Sequence, residues 1–413
     1  MGNQKKIMII GAGAGQVPII QESKKNGLYT IVVSPDGPYP GIKLADLHIN
    51  EDIYSKDILC EIARKENINF VISDQSDFAV PTVAYIAEKL NLPGNKYSTA
   101  EIYSNKNKQR EFCLENKLRI PQNCRIRNIE EISNVRIPFP WVIKPADSQG
   151  SRGILKVSNI DETIKAYEEA IKFSKIKEVI IEEFFLGQEV VCEGIVIDGE
   201  YINIGFGDRE YFNLENKFIP SKTIFPSSLE ENIKKKIIEH EVRFTRYANA
   251  SFGIVHAEYL INEEGEFCLV ETALRGGGVY ISSHLIPNTY GIDITKLLIE
   301  YFIKGPKYIK EYIQNSTINK VSAYVCFYLE SGIIHKVDGI EAIYKNKNIL
   351  QADIDKYIKG FKYNRLIHKG DRLGPILMVV NNRQELEEQI NWLISTYNIY
   401  MEDNPNKNAI IWE

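Results

Sequence analysis

Three short apolar runs, Lys6–Ile10 (KIMII), Tyr29–Val33 (YTIVV) and Asn69–Ser73 (NFVIS), are separated by two stretches of helical period, Val17–Asn26 and Lys56–Glu66. Near-continuous apolar strands joined through helices predict a βαβ arrangement: a parallel sheet with both faces covered. The first turn of that sheet, Gly11-Ala12-Gly13-Ala14-Gly15-Gln16, lies between a strand and a helix, where glycines let backbone N–H groups approach an anion. It departs from the dinucleotide fingerprint, because Gln16 stands where the last glycine belongs and no acidic residue closes the second strand at Val33-Ser34-Pro35. Three readings stay open there: a dinucleotide loop, a tight turn only, or a substrate-binding loop.

The character changes after Tyr97. A helix over Lys106–Asn116 and a strand Trp141–Lys144 lead into a Gly-rich loop, followed by a helix near Asp161–Phe173 and a strand Val179–Glu182. Further strands are expected at Gln188–Ile197, His256–Ile261 and Glu266–Glu271, with a helix near Ile294–Phe302. From about residue 306 a third stretch carries strands at Val321–Leu329 and Ile376–Val380 and a closing helix at Gln384–Thr396.

Composition excludes several classes of partner. Lys plus Arg number 50 against 55 Asp plus Glu, a net charge of −5, too little positive charge to neutralise a run of nucleic-acid phosphates or to hug an anionic membrane. No apolar run approaches the roughly 20 residues that span a bilayer, and MGNQKKIMII passes straight into the first strand, so a cytosolic (cytoplasmic) protein is expected. The six cysteines (60, 113, 124, 192, 268 and 326) form no CxxC pairs and are expected in the core, neither disulfide-bonded nor zinc-binding.

Three segments carry chemistry when taken together. Trp141-Val142-Ile143-Lys144-Pro145 ends a buried strand with a lysine, which needs an anion. The loop Ala146-Asp147-Ser148-Gln149-Gly150-Ser151-Arg152-Gly153 follows at once, able to fold over phosphates and donate N–H groups, with Arg152 adding delocalised charge. About 30 residues on, Glu182-Glu183-Phe184-Phe185-Leu186-Gly187-Gln188-Glu189 closes another strand; its backbone suits an adenine edge and Glu189 suits ribose hydroxyls. In the third segment, a hairpin centred between Glu264 and Gly265 places Glu258 opposite Glu271, Cβ atoms about 4.5–5.5 Å apart. Like charges so placed call for a cation between them, and Mg²⁺ suits two carboxylates plus phosphate oxygens and water. Arg275-Gly276-Gly277-Gly278 then offers a guanidinium and amides for a transferring phosphoryl group or an acyl phosphate. His256 and His284 are additional candidates for a substrate role, and Asp208–Thr223 is expected to be a mobile polar segment that either contacts substrate or is simply a lid loop.

Over roughly residues 6–300 these motifs resemble the ATP-grasp superfamily. The resemblance implies an α/β chain: a Rossmann-like parallel-sheet domain (1–100), an ATP-grasp domain of two α+β lobes clasping ATP (101–305), and a small C-terminal α+β lobe (306–413). The phosphate loop and hinge fall at about 141–190 and the metal hairpin at about 254–278. It carries over Lys106, Lys144 and Gly150–Gly153 as phosphate contacts. Glu182, Glu183 and Phe185 become the adenine hinge, Glu189 the ribose carboxylate, Glu258 and Glu271 the metal ligands, and Arg275 the catalytic arginine. The sequence departs from the family at Ala273, where an asparagine usually supplies a further metal ligand. Implied with it are ATP and Mg²⁺ (or Mn²⁺), a small-molecule carboxylate and an amine joined through an acyl phosphate, and a homodimer. A bicarbonate-using carboxylase and a non-catalytic ATP-binding module are the alternatives. Lys369-Gly370-Asp371-Arg372-Leu373-Gly374 looks like part of the C-terminal lobe of amino-acid ligases and, less closely, of carboxyaminoimidazole ribonucleotide synthases; its alternative is a lobe that only completes the fold or a dimer interface.

Overall fold

A computed structural model describes residues 4–148, 150–316 and 319–413. Gln149 of the phosphate-loop segment lies outside the described residues. The first strands, β1 (Lys6–Ile10), β2 (Tyr29–Ser34), β3 (Leu47–Asn50) and β4 (Phe70–Ile72), form an all-parallel sheet in the order β3-β2-β1-β4. Alternation explains why β1 is apolar throughout. Met8 and Ile10 pack with Leu59, Ala63 and Ile86, while Ile7 and Ile9 join a different core with Ile19, Ile20 and Leu298. β3 and the helix Val80–Lys89 are additions to the elements expected from sequence.

A second sheet, β5 (Asn123–Ile126), β6 (Trp141–Pro145), β7 (Leu155–Val157) and β8 (Val179–Glu183), runs in the order β5-β8-β6-β7 with every pair antiparallel. Its apolar face (Ile126, Trp141, Ile143, Val179, Ile181) is closed by Ala166 and Ala170 of the helix Ile160–Ala170.

The third sheet carries the hairpin glutamates. It comprises β9 (Gln188–Ile197), β10 (Glu200–Tyr211), β11 (Pro220–Phe225), β12 (Phe252–Ile261), β13 (Phe267–Ala273), β14 (Val321–Leu329), β15 (Ile349–Ala352) and β16 (Leu373–Val380), in the order β13-β12-β9-β10-β11-β14-β16-β15, with β17 (Ile410–Ile411) pairing β14 beside this path. Strands from the last hundred residues therefore continue the sheet that holds Glu258 and Glu271. The segment expected to be a mobile lid is largely strand: β10 and β11 sit inside this sheet, leaving only Phe212–Ile219 between them. The consecutive buried run Ile204–Arg209 of β10 and the buried Thr223–Phe225 of β11 explain the ordering, because both strands have neighbours on either side.

All six cysteines are free; Cys124 is half-buried and the others are buried. Among the described residues no helix is long and apolar enough to cross a membrane.

Candidate active site

A cavity of about 570 Å³ opens between the small sheet and the long one. The strand β6 delivers Lys144 to its wall, and β8 delivers Glu182 beside it; Lys144 Nζ donates to Glu182 Oε2 at 2.6 Å. The other carboxylate oxygen accepts from Arg110 Nε at 2.7 Å, and all three side chains are buried. Burial pushes Glu182 up, yet Arg110 and Lys144 together hold it down at about 2. The anion that Lys144 needs is thus supplied within the fold. The strand ends at a turn where Glu183 N donates to Gln122 O and Phe184 N to Pro140 O, leaving Phe185 on the cavity wall.

Lys106 is placed by a helix cap. Asn105 Oδ1 accepts from Lys108 N at 3.0 Å, which starts the helix Lys106–Glu115 at the lysine itself. Lys106 Nζ then reaches Ser148 O at 2.9 Å and Glu271 Oε1 at 2.7 Å, tying the phosphate-loop segment to the hairpin. Within that segment Gly150, Ser151 and Gly153 all take positive φ. Gly150, Ser151 and Arg152 line the cavity, whereas Gly153 lies outside the lining and packs behind the loop, where a Cβ would come within 2.9 Å of Phe173 and 3.0 Å of Pro145.

Glu258 and Glu271 are register partners on β12 and β13, and both line the cavity. Each already faces a cation: Arg209 bonds Glu258, and Lys106 bonds Glu271. Arg209 also donates to Glu189 Oε1 at 2.6 Å, and Tyr211 donates to the other oxygen of Glu189. The carboxylate expected to meet ribose is therefore held in a buried cluster. His256, next to Glu258 on the same strand, bonds Glu193, and its Nε2 lies 3.4 Å from Glu258 Oε1. Ala273, where the resembled family has its asparagine, is buried directly across from His256. Among the described residues no group of three or more His, Cys, Asp or Glu side chains forms a metal cage. Two facing carboxylates at a cavity wall nonetheless fit a hard cation that keeps water and phosphate oxygens for its remaining positions.

Arg275 makes a bidentate pair with Asp77, at 2.7 and 3.0 Å. Next to it, Gly276 N donates to Asp74 Oδ1 at 2.9 Å, and a Cβ at Gly276 would fall 2.4 Å from Ser282 Oγ. Of the residues that the resemblance carried over, all but Gly153 line this one cavity; of the two candidate histidines His256 lines it, whereas His284 stays outside, edge-on to Tyr280.

Sequence reasoning left Gln75 and Asp77 out, and treated Arg209 and Tyr211 as part of a lid. The first two follow β4, at the carboxyl end of a parallel sheet where α/β proteins place their ligands, a signal the sequence did carry. At the Gly-rich first turn, Gln16 folds back: its Oε1 accepts from Gly13 N at 3.0 Å and its Nε2 donates to Asp74 O at 2.6 Å. The glutamine amide fills the space beside Gly11 that a third glycine would leave open.

Residues 112–302, just under half of the chain, match the family model described as D-ala D-ala ligase C-terminus. Alanine–anticapsin ligase of Bacillus subtilis is 25% identical over 265 residues, 57% of this chain and 54% of that protein. Formate-dependent phosphoribosylglycinamide formyltransferase of Prochlorococcus marinus is 28% identical over 186 residues, 44% of this chain and 47% of that protein. The chain spans about half the length of these curated relatives. The crystal structure of an L-amino acid ligase from Bacillus licheniformis shares the fold, with a TM-score of 0.79 over 97% of this chain and 100% of that one at 21% identity. A parallel-sheet domain followed by two lobes around a Lys-, Glu- and Arg-lined cleft is the ATP-grasp architecture. The chain therefore shares the ATP-grasp fold, and its residues 112–302 are similar to the ligase family that the model describes.

Proposed function

We propose that the chain is an ATP-dependent carboxylate–amine ligase of small molecules, forming a C–N bond with release of ADP and phosphate. The observation that carries this reading is the convergence, in one cavity, of Lys106, Lys144 and the 150–152 loop with the facing glutamates Glu258 and Glu271 and with Arg275.

In the first step a carboxylate oxygen of the substrate attacks the γ-phosphorus of ATP; the bond to the β-bridging oxygen breaks and ADP leaves. In the second, the amine nitrogen attacks the carbonyl carbon of the acyl phosphate, inorganic phosphate leaves, and the nitrogen gives up a proton. The chain's task is positioning and charge compensation rather than covalent catalysis. Lys106 and Lys144 exchange part of their contact with Glu271 and Glu182 for phosphate oxygens, and amides of Gly150 and Ser151 close over them. Phe185 and the turn around it receive the adenine, with Glu189 on the ribose side. Glu258 and Glu271 would hold Mg²⁺, which when bound offsets charge on the phosphates. Arg275, kept in place by Asp77, faces the charge that develops on the acyl phosphate and on the tetrahedral oxygen. Gly276–Gly278 keep side chains out of that space.

The test is ADP and phosphate release from MgATP across a matrix of carboxylates with amines or bicarbonate, beside Lys144→Ala. Release that requires both a carboxylate and an amine and disappears in the variant is the expected result. Release driven by bicarbonate, or nucleotide binding with no turnover in any mixture, would overturn the ligase reading.

A further inference from the structure

The cations around the cavity are not evenly neutralised. Lys106, Lys144, Arg209 and Arg275 each have a carboxylate partner, respectively Glu271, Glu182, Glu189 with Glu258, and Asp77. Arg152 of the phosphate-loop segment has none among the described residues, and neither do Lys369 and Arg372, which reach the same cavity from the last stretch of the chain. Among the described residues the Lys369 ammonium has no hydrogen bond or ion pair. Arg372 is fixed by neutral groups, with Nη1 donating to Pro220 O at 2.6 Å and the guanidinium 5.3 Å from the centre of the Tyr324 ring.

The carboxylate between them in sequence is already used. Asp371 Oδ2 accepts from Ile367 N at 3.0 Å and His368 N at 2.9 Å, and His368 Nδ1 accepts from Gly370 N at 3.1 Å. The short turn Lys369–Asp371 is therefore rigid, and its own acid is turned onto the backbone. Burial, then the nearby Arg209 and Arg372, draw the Lys369 ammonium down to about 7, although Glu258 opposes them. That is the signature of a cationic site with too few anions.

We propose that Lys369 and Arg372 seat a second, non-reacting anionic group of a substrate, a carboxylate or a phosphate monoester. The inference rests on the ligase reading and narrows its substrate class: one substrate carries an anion besides the carboxylate that is activated. The seat faces the cavity from the β11–β14 side, whereas the lysines assigned to the triphosphate come from the small sheet and the helix Lys106–Glu115. An ammonium and a pre-positioned guanidinium together give charge-assisted hydrogen bonds to such a group.

Calorimetry on the full chain loaded with MgADP, at an ionic strength of about 0.15 M, tests it with succinate, inorganic phosphate and acetate as probes. Succinate and phosphate are expected to bind about tenfold or more tightly than acetate. That advantage is expected to vanish in Lys369→Met and Arg372→Met and to return in Lys369→Arg, with melting curves confirming that each variant folds. A preference for phosphate over succinate would assign the monoester, and the reverse the carboxylate. Equal binding of acetate, succinate and phosphate would overturn the proposal, as would a Lys369→Met variant that loses affinity for a non-hydrolysable ATP analogue. Lys369-dependent succinate binding without ADP release in any mixture would support the seat while the ligase reading failed. Ligase turnover of monoanionic acids with unchanged KM in Lys369→Met would sustain the ligase and remove the seat.

Discussion

Glu271 stands opposite Glu258 because Val270 bulges out of β13 between them. Near the turn the register pairs Ile261 with Phe267 and Tyr259 with Leu269, which continued regularly would put Val270, not Glu271, across from Glu258. The extra residue shifts the next pair by one, and Arg110 clamps the bulge by donating from Nη2 to Val270 O at 2.6 Å. The same guanidinium holds Glu182, so one buried arginine fixes both the lysine–glutamate pair of the small sheet and the glutamate pair of the long one.

Replacing either member of the facing pair by its amide, Glu258→Gln or Glu271→Gln, keeps the shape and removes one charge. Each is expected to raise the Mg²⁺ concentration for half-maximal ADP release by about tenfold or more, and chelation with EDTA to abolish release. A Mg²⁺ titration of turnover measures this. An unchanged midpoint in both variants would remove the pair from metal binding.

Arg110→Met leaves Glu182 with Lys144 alone in a buried site and frees Val270 O. A loss of about 3–5 kcal/mol of unfolding free energy is expected, as for other buried ion pairs broken from one side. Lys144→Met should cost less, because Arg110 still satisfies the carboxylate. Urea midpoints of the two variants give the order directly.

Gly150 and Gly153 separate two meanings of a loop glycine. Both have positive φ, at 73° and 69°, but a Cβ at Gly150 meets nothing within 4 Å, while at Gly153 it presses on Phe173, Pro145 and the backbone of Ala170. Gly150→Ala should cost about 1–2 kcal/mol from backbone conformation alone, and Gly153→Ala roughly 3 kcal/mol because crowding adds to it. Thermal melts distinguish them. The KM for ATP should rise in Gly153→Ala as well, since displacing the packed end of the loop moves Ser151 and Arg152.

Much of this was legible from the chain alone, for identifiable reasons. The strand ends Lys144 and Glu182 stood out because a charged residue closing an apolar run is expensive to bury. Glu258 and Glu271 were paired correctly from the wrong hairpin centre. The turn register is centred one half-residue earlier, and the bulge at Val270, invisible in sequence, restores the pair. Arg110 falls in the helix where the resemblance places Lys106, but its clamping role stayed hidden because its partners, Glu182 and Val270, lie 72 and 160 residues away. The polarity of Asp208–Tyr211 suggested a lid, whereas in β10 those groups are bonded: Asp208 accepts from Ser228 N and Arg383, and Arg209 from β10 reaches two glutamates. A polar residue in a central strand reads as a loop until its partner is known.

Two buried carboxylates should give the stability of this chain opposing pH limbs. Glu182 lies near 2 in the fold against an ordinary 4.5, so the unfolded chain takes up a proton between those values that the native chain does not. Its contribution is complete above 4.5 and is lost as pH falls toward 2, about 3 kcal/mol in all. Glu241 is the reverse case. Burial pushes it up to about 7 despite hydrogen bonds from Tyr259 and Thr272, so the native chain retains a proton that the unfolded chain sheds, and stability falls as pH rises from 4.5 through 7. Denaturant unfolding across pH 3–9 should therefore show a maximum between the two limbs. Glu241→Gln should flatten the upper limb and leave the acid limb in place, because the amide keeps the hydrogen bonds without a titrating proton. Lys144→Met should move the acid limb to higher pH by removing one of the two cations that hold Glu182 ionised. If the upper limb persisted in Glu241→Gln, the neutral buried carboxyl beneath Tyr259 would be excluded as its source.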